Sequence, residues 1–296
     1  MDINVNVNSK AVEKLLEVVA EGVGVTANHF FHLDVSKIKR IGEAEAEVEK
    51  RRIINKAEAV EGSLEIFARA EKRFLLEQFN KQINLENIVV LARDSLIDSG
   101  ASDTKVDPDW SRRFISIAQD VSREDIQSLL ANILANEVKQ PNSFSLRALD
   151  FVNSLSRDEL LLFAKIAPLV TKDGYVYISK DDFSHGFAHI SYSEILELME
   201  LDFIKPTLEM ARIVSDVKVN SHYILSLRDG ALVFGFTEDA TELDLPVLQL
   251  SRVASELQGL IDMKIEQQDT ISNYVAELEQ FYRTKNMTRL KNKLTT

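Results

Sequence analysis

The sequence predicts a mainly α protein: a helical bundle with long, coiled-coil-like helices towards both ends and a small winged-helix-like α+β part. Three observations carry this reading. Residues 110–160 resolve into amphipathic helices separated by serines and one proline. Residues 36–98 contain no proline and carry a 4-3 apolar alternation. Residues 223–227 and 232–236 flank Asp229-Gly230, a two-residue hairpin signal that follows a short helix. Four segments follow from these patterns. Residues 1–102 form a strand, a short helix and a long helical arm, and residues 103–170 a central bundle. Residues 171–245 form the winged-helix-like module, and residues 246–296 a long helix with a basic tail.

The central helices carry their own punctuation. Asp107-Pro108 opens the first: Asp accepts from a free first-turn N–H, and Pro at the first position has no N–H to lose. Trp110, Phe114, Ile117 and Val121 follow at helical spacing. Ser122 and Asp125 resemble a capping box for the second, whose apolar face runs from Ile126 to Val138 before Pro141 stops it. Ser145 caps the third. Ser156 and Glu159 make a full capping box for a fourth, carrying Leu160, Phe163 and Ile166. Short links between such helices favour antiparallel neighbours around one core.

Within this stretch, ILANEVKQPNSFSLRAL (residues 133–149) resembles the hallmark of an uncharacterised bacterial family, domain of unknown function 2806. Its members carry an "iLA-x-E…P-x-S-F-S-x-R-x-L" segment. The matching residues are Ile133, Leu134, Ala135, Glu137, Pro141, Ser143, Phe144, Ser145, Arg147 and Leu149. The resemblance extends over residues 105–245. It implies a bacterial, cytoplasmic protein without an established activity, in a regulatory, stress or phage-defence setting. Glu137 falls in the last turn of one helix and Arg147 in the first turn of the next. Each charge is misplaced against its helix dipole. The turn between them brings the two together, which predicts a hydrogen-bonded ion pair covered by Phe144.

Composition narrows the function classes. The chain has 296 residues, 45% of them hydrophobic and 28% charged, which is ordinary for a globular protein of about two domains. It has no cysteine, hence neither a disulfide framework nor a thiol nucleophile, which suits a reducing cytoplasm. Residues 18–35 are interrupted by Glu21, His29, His32 and Asp34 and do not read as a membrane span. No signal-like segment is read. A net charge of −12 argues against a broad nucleic-acid surface.

Taken in order, Ile3, Val5 and Val7 alternate with asparagines as a strand that must find an edge. Ser9 caps a short helix that Gly22 is expected to stop. From residue 36 to 98 the reading is one long helix or two in line. Ile53, Ala57, Val60, Leu64, Phe67, Glu71, Phe74, Gln78, Lys81, Leu85, Ile88 and Ala92 form a heptad seam, imperfect at its three polar members. Ile53, Val60, Leu64, Phe67 and Phe74 are its expected oligomer contacts. Residues 247–292 read as a second long helix. The tail at residues 283–296 carries Arg283, Lys285, Arg289, Lys291 and Lys293 and no acid. It suits a solvated helix end, or docks on nucleic acid, anionic lipid or an acidic partner.

One cluster carries metal-type chemistry. Asp181, His185 and His189 stand at i, i+4 and i+8 and share a face if helical, a ligand set used by non-haem iron and zinc. Gly186 within the run and the apolar Phe183 and Phe187 favour a structural loop-helix instead. The helix that would enter a DNA groove carries Glu194, Glu197, Glu200 and Asp202 and no base, which phosphates would repel. The expected function is therefore a non-enzymatic, oligomerising protein-interaction protein with no cofactor and an unidentified protein partner. The alternatives are a winged-helix DNA-binding regulator and a metal-dependent enzyme.

Overall fold

The computed structural model describes residues 10–24, 43–58, 65–97, 99–180, 186–207, 210–227, 230–260 and 267–290. The strand expected at residues 3–7 lies outside the described residues, as do Val60, Leu64, Asp181, His185 and the side chains of Ile53 and Phe67. The chain divides into two units, Met1–Ser154 and Leu155–Thr296.

The first unit is helical: α1 (Lys10–Val23), α2 (Glu43–Glu58), α3 (Glu65–Asp94), α4 (Pro108–Ala118), α5 (Glu124–Lys139) and α6 (Leu146–Ser154). Asp107 caps α4 as expected, its side chain accepting from the N–H groups of Asp109 (2.7 Å) and Trp110 (3.2 Å). Trp110 and Phe114 stack at 5.2 Å and bury the same face. α5 departs from expectation. Arg123 stands at its N-cap with no side-chain cap bond, and Asp125 turns to Arg123 (2.8 Å) and to its neighbour's N–H. Gly22 does not stop α1. It sits inside the helix, where α1 crosses α4 against Ser111 and Ile115, and Gly24 at φ 79° makes the stop.

The long N-terminal arm holds two helices, α2 and α3, in contact with each other. The seam also divides by use. Leu85, Ile88 and Ala92, in the C-terminal half of α3, are buried within the unit, where α3 packs on α5. Phe74, nearer the N-terminus of α3, is 58% exposed.

The second unit overturns the mainly α, helical-bundle reading. It holds α7 (Arg157–Ile166), β1 (Tyr175–Tyr177), α8 (Tyr192–Glu200), β2 (Ala211–Val217), β3 (His222–Leu227), β4 (Gly230–Phe236), β5 (Ala240–Gln249), α9 (Arg252–Leu257), α10 (Gln267–Thr284) and β6 (Met287–Arg289). The strands form two three-stranded antiparallel sheets, β1-β5-β2 and β3-β4-β6. The chain is thus mixed α+β. The capping box at Ser156 and Glu159 is present as read.

The winged-helix reading fails on strand pairing. The hairpin exists, with Leu227 opposite Gly230. Its third strand, however, is β6 from residues 287–289, and β5 joins β1 and β2 in the other sheet. The long C-terminal helix is likewise replaced. Val247 belongs to β5, where it is buried opposite Tyr177. Tyr274, Leu278, Phe281 and Tyr282 do bury one side of α10. The basic tail is partly sheet: Leu290 donates to the carbonyl of Val233 (2.9 Å), and Arg289 pairs with Glu279.

Candidate functional site

The best-marked site is the loop between α5 and α6. Pro141 ends α5 within two residues of its last turn, and Asn142 takes φ 70°, the left-handed region that Asn tolerates. That turns successive backbone N–H groups towards one point, a small anion-binding nest. The anion is the chain's own. Glu137 Oε1 accepts from Asn142 N (2.6 Å), and Oε2 accepts from Ser143 N (3.1 Å) and Phe144 N (3.1 Å). Glu137 is 1% exposed and Phe144 is buried beside it. Ser145 then caps α6, accepting from Ala148 N (3.2 Å).

Two forces act on this carboxyl in opposite directions. Burial raises its affinity for a proton, and the three N–H donors and the charge of Lys14 lower it; burial prevails and its pKa lies above the ordinary value. Lys14 itself reaches the carbonyl of Ser102 (2.9 Å) and that of Thr104 from α1. Arg147, the expected partner, is exposed at the start of α6. Three hydrogen bonds from the backbone hold Glu137. A buried carboxylate with both oxygens engaged is an anchor for the loop. It is poorly placed to exchange protons with a solute.

A polar groove of about 430 Å3 lies between α3 and the α4–α5 connection. Lys81 bridges Glu77 (3.0 Å) and Asp120 (3.5 Å). Asn84 donates to the carbonyl of Gln119 (2.9 Å) and accepts from buried Gln127 (3.3 Å). These groups largely satisfy one another, which ties α3 to the bundle.

In the second unit, three tyrosines join strands the sequence reading left unconnected. Tyr177 on β1 and Tyr223 on β3 share a hydroxyl–hydroxyl bond of 2.7 Å. Tyr274 on α10 accepts from Tyr177 N (3.1 Å) and donates to Tyr177 O (2.7 Å), standing in for a missing strand. Burial, and then Tyr223, push the Tyr177 phenol up, so it stays protonated. Arg212 lies over the Tyr175 ring (4.9 Å) and faces Asp173 (3.7 Å).

Of the metal-type cluster, the structure describes His189 alone. It stands at φ 63° in a turn closed by Phe187 and Ile190, and its Nε2 lies 2.9 Å from the Asn273 amide. The turn is not helical, so the i, i+4, i+8 argument does not extend to His189. Among the described residues, no group of three or more His, Asp or Glu is arranged to hold a metal ion. No described helix is long and apolar enough to cross a membrane.

Two of the three residues holding Glu137, Ser143 and Phe144, are among those that marked the hallmark in the sequence, and the comparison with family models falls on the same stretch. Residues 68–176 match the family described as protein of unknown function (DUF2806). The DUF2806 segment begins in α3 and ends in β1, taking in the whole Glu137 loop. It starts earlier and stops sooner than the expected residues 105–245. No curated protein and no solved structure matches the chain.

Proposed function

We propose that this protein is a non-enzymatic, self-associating protein that binds other proteins, with the N-terminal half of α3 as its association surface. The observation that carries this is the contrast along α3. Its C-terminal half buries Leu85, Ile88, Val89 and Ala92, while its N-terminal half leaves Ile66 65%, Phe74 58% and Leu75 38% exposed. Ile66, Ala70 and Phe74 recur one turn apart, so two of the large side chains share a face. Covering one such side chain contributes about 1.5–3 kcal/mol. A second copy of α3 is the simplest cover, because the 4-3 seam repeats in it. The bacterial regulatory, stress or phage-defence setting is proposed on the family resemblance.

The chain has no cysteine, so Phe74→Cys introduces a single thiol. Mild oxidation at micromolar concentration is expected to give a disulfide-linked dimer in high yield. A cross-link yield no better than that of Asp109→Cys, on exposed α4 surface, would overturn the reading.

A further inference from the structure

Among the described residues, no strand pairs with the outer edge of β2. β2 is the outer strand of its sheet, and the register with β5 shows which of its backbone groups face outward. Val247 N donates to Met210 O (2.8 Å), so residue 210 and alternate residues after it turn their hydrogen-bonding groups towards β5. Ala211 lies opposite Pro246, which has no N–H to give and whose carbonyl goes the other way, to Ile178 N (2.9 Å). The N–H and C=O groups of Ala211, Ile213 and Ser215 therefore point away from the sheet. All three residues are exposed, Ile213 at 62%. An exposed edge with an apolar side chain at its middle is a template for another strand.

We propose that β2 pairs edge to edge, antiparallel, with β2 of a second copy. The pairing sets Ile213 opposite the partner's Ser215 and, reciprocally, Ser215 opposite the partner's Ile213. Each pair exchanges both of its outward N–H and C=O bonds. Val214 lies on the two-fold axis against its own copy. Arg212 and the partner's Asp216 come near one another, and reciprocally Asp216 and the partner's Arg212, at the two ends of the short duplex. This reciprocal charge match makes a second copy the occupant, because a closed two-fold contact requires a self-complementary patch. Asp216, at φ 53°, ends the regular edge and keeps the duplex short. This surface lies on the second unit and stands independently of the α3 reading.

Hydrogen exchange on the full chain over a range of concentrations tests it. The amides of Ile213 and Ser215 are expected to slow with rising concentration, by about tenfold once nine copies in ten are paired. The slowing is expected to persist in Phe74→Glu, which separates this contact from the helical one. Ile213→Lys, a charge on the edge, and Asp216→Lys, facing the partner's Arg212, are each expected to abolish it. Neither change removes a side chain from the buried core. Exchange rates independent of concentration, or slowing that survives both substitutions, would overturn the proposal.

Discussion

Replacing Glu137 with alanine removes the acceptor for three backbone donors at once. The N–H groups of Asn142, Ser143 and Phe144 all end on its carboxylate at 2.6–3.1 Å, in a loop whose Phe144 is buried. An orphaned buried donor costs about 1–3 kcal/mol. The exposed Asn142 N–H can find water, but the one at Phe144 is enclosed. The burial cost of the carboxylate is also relieved, which offsets part of the loss. The net expectation is about 2–4 kcal/mol of lost stability, measured by denaturant unfolding of the wild-type and Glu137→Ala chains. Amide exchange at residues 142–144 should accelerate towards solvent rates. A loss below about 1 kcal/mol, the scale of an exposed contact, would refute the anchoring role. Arg147 is exposed, so a double-mutant cycle of Glu137→Gln with Arg147→Met should return a coupling below about 1 kcal/mol. A larger coupling would make the ion pair with Arg147 a principal part of the lock.

Other expectations follow from the same geometry. Because burial raises the folded pKa of Glu137 above its unfolded value, the chain takes up a proton on folding in that window. Its stabilising contribution is fully present below the unfolded pKa and is lost as pH rises through the folded one. The stability gap between wild type and Glu137→Gln should therefore widen as pH falls through that range, and a narrowing gap would reverse the sign. Gly22→Ala should destabilise by about 1–3 kcal/mol despite its better helix propensity. The added Cβ would stand 2.5 Å from Ile115 Cγ1 and 2.7 Å from the Ser111 carbonyl; a stabilised variant in thermal melts would contradict that crossing. Tyr274→Phe should cost about 1–3 kcal/mol in denaturant unfolding, because it leaves both backbone groups of Tyr177 without the hydroxyl. A change within about 0.5 kcal/mol, as for an ordinary surface substitution, would mean that the hydroxyl does not complete β1.

The parts of the fold written in side-chain chemistry were legible. Asp107 and Ser156 cap helices as their residue types require, and the hairpin expected at Asp229-Gly230 exists, with Gly230 already in β4 opposite Leu227 rather than in the turn. The unreadable parts depend on non-local pairing. β2 is an exposed edge strand with no apolar alternation to betray it. β5 carries Val247 near its end, and Leu250, Val253 and Leu257 continue from that residue at helical spacing. Only its hydrogen bonds to β1 and β2 decide that it is a strand. Glu137 was singled out in the sequence, but its backbone donors were not, because a backbone N–H has no residue type. The available signal was an acid at a helix C-terminus, which calls for compensation, beside Pro141-Asn142, a pair suited to a turn into the left-handed region.

The central claim is that the exposed half of α3 holds copies of this chain together. Light scattering on the full chain at micromolar concentration measures this directly. The account predicts a mass at least twice the 33.5 kDa of one chain, reduced by Phe74→Glu. A mass of 33.5 kDa for the wild type, or a larger mass that Phe74→Glu leaves unchanged, would contradict it.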